Sequence, residues 1–220
     1  MNESNWLAKL FSVSGASFSS IQGNVRELLR NYDLEHGGKP RRYASYNVSS
    51  RLIRKAAFKT GAFGGLVSAP ATLPGIGTLG TLFVSISADM AYLIRTQIEL
   101  CYAISVAYDV EMDLDELKAV TVALLGFSGS AEAVKGVAAR SLRSVIDELT
   151  RVYISKGVPD SAAEISARLL PRYAGRAYKI LPFLGMPLSA SINITSTMMV
   201  GNQARKYFST WEEFPEPLAE

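Results

Sequence analysis

The chain has 220 residues, 48% hydrophobic and 20% charged, with a mean hydropathy of +0.14; it can build a sizeable core and is too oily for a disordered chain. Its 23 basic and 20 acidic side chains leave a net charge of +3, too balanced to point to nucleic acid. The single cysteine, Cys101, excludes a disulfide framework and multi-thiolate metal sites, and the single histidine, His36, excludes multi-His zinc sites.

In chain order, the apolar periodicity is helical and no segment alternates like a strand. Trp6, Leu7, Leu10 and Phe11 share one face of a short N-terminal helix, suited to packing on a bundle or to lying in an interface. Val25, Leu28, Leu29 and Tyr32 repeat the pattern in a second helix. His36-Gly37-Gly38-Lys39-Pro40 breaks the chain. A helix resumes near Ser49 and enters a glycine-rich stretch at Gly61. A long helix is predicted over residues 79–108, and Asp113 or Asp115 caps the next one, over 114–125.

Ser128-Gly129-Ser130 breaks the chain again. Residues 131–155 then read as an amphipathic helix carrying Val134, Val137, Leu142, Val145, Ile146, Leu149 and Val152. Ser161-Ala162-Ala163-Glu164 matches a capping box, and residues 211–220 read as a loose acidic tail. The predicted class is all-α, a helical bundle. Its expected divisions are N-terminal amphipathic helices at 1–38, a helical domain at 39–210 and the tail at 211–220.

Charge placement is the most informative feature. Residues 60–88 contain no Asp, Glu, Lys, Arg or His across 29 positions, and residues 180–204 contain none across 25. Each stretch follows a purely basic approach. Lys39, Arg41, Arg42, Arg51, Arg54, Lys55 and Lys59 precede the first with no acid among them; Arg168, Arg172, Arg176 and Lys179 precede the second.

The two stretches also resemble one another. Leu73-Pro74-Gly75-Ile76-Gly77 aligns with Leu181-Pro182-Phe183-Leu184-Gly185 at an offset of 108, and Thr81, Ile86, Ser87 and Met90 meet Ser189, Ile194, Thr195 and Met198. This is a weak internal repeat. Each copy reads as a helical hairpin with a Pro-Gly turn, Leu73, Pro74, Gly75 and Gly77 in one and Leu181, Pro182 and Gly185 in the other.

Prolines 70, 74, 182 and 187 and the abundance of small residues argue against simple spanning helices. Such hairpins either pack tightly at the centre of a bundle or dip into a bilayer with their basic flanks on anionic headgroups.

Enzymatic motifs are sparse. Gly75-Ile76-Gly77-Thr78-Leu79-Gly80 fits a dinucleotide fingerprint, but Ser68-Ala69-Pro70-Ala71-Thr72-Leu73-Pro74 before it does not read as a strand. No P-loop is present. The acids from Asp109 to Glu116 have Leu114 where a calcium loop needs glycine, so they read as a solvated loop with capping acids. His36 in a glycine turn is poorly held for a general base, and no G-x-S-x-G elbow accompanies it. Asp89, Arg95 and Asn193 are candidate buried polar residues, with Arg95, Arg205 or a hairpin backbone N–H as candidate partners of Asp89. Cys101 reads as a small core residue.

With these residues in view, the chain resembles the EcsC family of bacterial proteins over about residues 45–208. The resemblance is carried by Thr60-Gly61-Ala62-Phe63-Gly64-Gly65, Leu73-Pro74-Gly75, Asp89, Arg95-Thr96-Gln97-Ile98 and Tyr108-Asp109. It continues in Leu181-Pro182-Phe183-Leu184-Gly185, Asn193, Gly201-Asn202-Gln203-Ala204 and Tyr207-Phe208. It implies a helical bacterial protein, sometimes encoded near ABC transporters, with no established activity or cofactor. Tyr108-Asp109 stands where a Tyr-Gly pair is typical, which puts the following turn in question.

The N-terminus does not read as a secretory signal, so the sequons at Asn47 and Asn193 are not read as glycosylated. The expectation is a non-enzymatic cytoplasmic protein, peripheral to or partly inserted in an inner membrane. Its expected partner is an anionic lipid or a membrane protein, with no cofactor, no metal and no nucleic acid, and with self-association allowed. The alternatives are a soluble interaction module with the hairpins as core and, third, a lipid-processing enzyme near Asp89 and Asn193.

Overall fold

A computed structural model of the chain describes residues 18–37, 39–68, 79–128, 138–156 and 185–213. They form six helices and, among the described residues, no strand: α1 Phe18–Glu35, α2 Arg41–Ser68, α3 Leu79–Ala107, α4 Leu114–Ser128, α5 Ala139–Lys156 and α6 Gly185–Glu213. The all-α bundle expected from the periodicity is what forms.

The buried ladder of α2 explains its early start. Ala44, Ser45, Val48, Ser49, Ile53, Ala56, Ala57, Thr60 and Gly61 recur in steps of three and four and are all buried. Most are small, so a search for large apolar side chains misses the first two turns and finds the helix only near Ser49. Pro40 supplies the entry: its carbonyl accepts the Tyr43 N–H at 2.9 Å. The buried hydroxyls bond back to their own helix, Ser49 Oγ to the Tyr46 carbonyl at 2.9 Å and Thr60 Oγ1 to the Ala57 carbonyl at 3.0 Å.

Two cores hold the bundle. The larger gathers Ile53 and Ala56 of α2, Ile94, Ile98, Cys101 and Ile104 of α3, Leu142 and Ile146 of α5, and Val200, Ala204, Tyr207 and Phe208 of α6 around α4. Helix α4 is central, because Leu117, every residue from Ala119 to Leu125, Phe127 and Ser128 are all buried. The smaller core joins Val25 and Leu29 of α1 to Ala44 and Val48 of α2 and Ala103 and Ala107 of α3.

Helix ends follow local chemistry. Asp113 is the N-cap of α4: its Oδ1 accepts the backbone N–H of Asp115 at 2.9 Å and of Glu116 at 2.8 Å. At the end of α3, Asp109 takes φ 56°, Asp109 N–H reaches the Val106 carbonyl and Val110 N–H the Ser105 carbonyl, both at 3.1 Å. That pair of bonds is a Schellman closure with Asp109 at the left-handed position glycine usually fills. The turn is therefore kept despite the aspartate. Pro187 sits in the first turn of α6, where no helical N–H bond is lost, so it does not interrupt the helix. Helix α6 also runs to Glu213, and Trp211 packs on the larger core, so residues 211–213 are helical rather than loose.

The N-terminal helix around Trp6, the segment from Val134 to Val137, the capping box at Ser161 and the G-x-G-x-x-G turn lie outside the described residues. So do the turns of the proposed repeat, Leu73, Pro74, Gly75, Gly77, Leu181 and Pro182, whereas Gly185 opens α6. Among the described residues no helix is long and apolar enough to cross a membrane.

Candidate functional site

The outer side of α2 is basic and aromatic. Arg51, Arg54, Lys55, Phe58 and Ala62 fall at helical steps of three, four, seven and eleven from Arg51, with Lys59 beside them, and all are exposed. Phe58 is 77% exposed, an unusual solvent position for a phenyl ring. Arg41 and Arg42 open the same helix, and Lys39 precedes it, all three exposed. No acid occurs between His36 and Ala88, so nothing within the segment neutralises this row.

Exposed Tyr43 and Tyr46 extend it, each under a guanidinium: Arg42 lies 5.5 Å from the Tyr43 ring centroid and Arg205 of α6 lies 4.5 Å from that of Tyr46. Arg205 also donates to Ser50 Oγ at 2.6 Å and to Asn202 Oδ1 at 3.0 Å, fixing it between α2 and α6. Nearer the glycine-rich stretch, Phe63 stacks on Tyr92 of α3 with centroids 3.9 Å apart, and the Lys59 ammonium stands 5.5 Å from the same tyrosine ring.

Beneath this surface the helices cross closely around a buried polar group. Thr60 Oγ1 and Thr197 Oγ1 are 2.9 Å apart, Thr60 Oγ1 also donates toward the Asn193 carbonyl at 3.4 Å, and Asn193 Nδ2 donates to the Thr60 carbonyl at 3.4 Å. Gln97 of α3 donates to Ser196 Oγ at 3.0 Å. Asn193 is 4% exposed, so its expected burial is met. Glycine makes the approach feasible: a Cβ on Gly61 would come within 2.5 Å of Ile194 Cγ1, and one on Gly201 within 2.7 Å of Ile53 Cγ1.

The other candidates resolve differently. Arg95 is half-exposed rather than buried, because Glu99 one turn on captures its Nε at 2.9 Å. Arg95 is held by Glu99, and Arg205 by Ser50 and Asn202; the Asp89 side chain lies outside the described residues, as do Arg168, Arg172, Arg176 and Lys179. His36 is exposed, stacked on Tyr32 with centroids 4.3 Å apart, and its Nδ1 lies 3.2 Å from the Tyr32 carbonyl. Cys101 is fully buried, and that burial pushes its thiol up to about 12.

Sequence reading missed Phe58, Tyr46 and the Thr60–Thr197 pair. For Phe58 the signal was present: it lies three residues past Lys55 and four past Arg54, on the basic side. No family model, curated protein or solved structure matches the chain.

Proposed function

We propose that this is an EcsC-like, non-enzymatic helical protein that binds an anionic membrane surface at its cytoplasmic side through the outer face of α2, assisted by the glycine-rich segments. The observation that carries the reading is Phe58, 77% exposed amid Arg51, Arg54, Lys55 and Lys59 in a stretch without acids. Four cations near an anionic surface contribute about 4 kcal/mol at moderate salt, and burying the phenyl ring adds about 2 kcal/mol. Together they support a dissociation constant on the order of 10–100 µM, appropriate to reversible attachment. The energy is mainly electrostatic, so salt weakens it.

Co-sedimentation with phosphatidylcholine vesicles, with and without phosphatidylglycerol, tests this. Binding should need the anionic lipid, fall about thirtyfold in F58A and vanish in R51E/R54E/K55E. Equal recovery on neutral and anionic vesicles, or full binding by the triple variant, overturns it.

A second reading, an interaction module in which the glycine-rich segments serve as core, is favoured by Gly61. That residue begins the first segment and is already buried against Ile194 of α6. An obligatory need for detergent during purification would count against this second reading.

A further inference from the structure

The basic face of α2 does not account for a second positive feature at the opposite side of the break before that helix. An open cleft of about 320 Å³ lies between α1 and the start of α2, lined by Arg26, Leu29, Arg30, Asp33, Leu34 and Arg41. Its volume falls at the small end of ligand sites. The five α1 residues lie at steps of three, four, seven and eight from Arg26, so one helix face presents them together. Arg41 Nη1 reaches across to Asp33 Oδ2 at 3.2 Å. Arg26 and Arg30 are exposed and take part in none of the ion pairs among the described residues.

We propose that this cleft binds a terminal phosphate, that is, a phosphomonoester dianion. The charge count selects it. Three guanidinium groups face one carboxylate, so two positive charges are left over, and a phosphomonoester carries about 1.5 to 2 negative charges near neutral pH. A phosphodiester or a single carboxylate supplies one. Guanidinium forks match phosphate oxygens bidentately, and two of the three are uncommitted.

Helix α2 has no acid in its first turn, so its positive end adds to the field at Arg41. Leu29 is buried and Leu34 is 78% exposed, giving the cleft an apolar wall for whatever carries the phosphate. That carrier is either a lipid such as phosphatidate or a small soluble phosphomonoester; both present the same group. The site includes none of Arg51, Arg54, Lys55, Phe58 and Lys59 and does not depend on them.

Calorimetric titration with methyl phosphate and with dimethyl phosphate tests the proposal on the full chain. Methyl phosphate should bind at least about tenfold tighter than dimethyl phosphate, lose affinity as the pH drops below about 6 with loss of the dianion, and fail to bind R26A/R30A. D33N should bind methyl phosphate more tightly, because it frees Arg41. Equal binding of the two probes, unchanged binding by R26A/R30A, or weaker binding by D33N overturns it.

Vesicles containing phosphatidate against phosphatidylglycerol at matched charge identify the source. A phosphatidate preference lost in R26A/R30A assigns a lipid headgroup, and methyl phosphate binding without that preference assigns a soluble ligand; each supports the cleft. R51E/R54E/K55E should bind methyl phosphate normally, which separates failure of the cleft from failure of the membrane face.

Discussion

Tyr207 of α6 donates its phenolic hydrogen to Oδ1 of Asp147 on α5 across 2.7 Å. The arrangement is a clasp. Arg143 holds the other carboxylate oxygen at 3.5 Å, donates to the Thr210 carbonyl at 3.1 Å and lies 5.0 Å from the Trp211 ring centroid. Burial first, and then the Asp147 carboxylate, drive the Tyr207 hydroxyl far above its usual range.

The clasp predicts that Y207F loses stability without losing shape. The ring stays packed in the core, and the lost bond to a charged acceptor costs about 1–2 kcal/mol, toward the lower end because Asp147 keeps Arg143. Urea unfolding should show a lowered midpoint with an unchanged slope.

Glycine substitutions should separate by position. In G201A the new methyl meets Ile53 Cγ1 at 2.7 Å and Leu100 Cδ2 at 3.0 Å, and the β-branched Ile53 has little freedom to turn away. Overpacking of about 1–3 kcal/mol outweighs the gain of about 1 kcal/mol in helix propensity, so the melting temperature falls. G23A meets nothing within 4 Å on an exposed turn of α1 and should stabilise by about 0.5–1 kcal/mol. Thermal melts of the two variants should move in opposite directions.

At the end of α3, D109G should stabilise and D109A should not. The left-handed conformation costs an ordinary L-residue about 1–2 kcal/mol, somewhat less for aspartate, and glycine escapes it. D109G is expected to gain about 0.5 kcal/mol and D109A to lose about 1 kcal/mol, read from denaturant midpoints.

Cys101 makes stability fall in alkali. Its folded-state thiol is raised to about 12 from an ordinary 9.0, so the unfolded chain ionises first. Stability is full below pH 9 and drains away as the pH climbs from about 9 toward 12. C101A should show a shallower loss over the start of that window. The same burial leaves the native thiol unreactive toward an aromatic disulfide reagent at pH 8, with full reaction only in urea.

Much of the scaffold was readable because its signals are local. The bounds of α3 came within a residue, since Asp109 and the acids after it end an apolar run, and Asp113 was one of two named caps. Val25 and Leu29 were placed on the buried face of α1 by spacing alone.

What escaped depends on partners distant in sequence or on small residues. Thr60 and Thr197 are separated by 137 positions, and no periodicity links two hydroxyls so far apart. The early turns of α2 bury Ala44, Ser45 and Ser49, which carry little apolar weight. Arg26 and Arg30 went unnoticed because Glu27, Asp33 and Glu35 interleave with them, and only the fold brings Arg41 across to engage Asp33.

The division of the core into two nuclei gives α1 its own melting behaviour. Its attachment rests on Val25 and Leu29, with the partly buried Ile21, Leu28 and Tyr32, against small residues of α2 and α3, and on Phe18 against the Tyr102 ring. It is reinforced at the seam by the Asn47 Nδ2 donation to the Tyr32 hydroxyl at 3.0 Å and by the Arg41–Asp33 pair. Releasing α1 strips Phe18 from the edge of the larger core but removes none of that core's fully buried members, so the α1 amides exchange through a partial opening while those of α4 wait for global unfolding. Helix α1 is a latch on a finished bundle rather than one of its load-carrying staves.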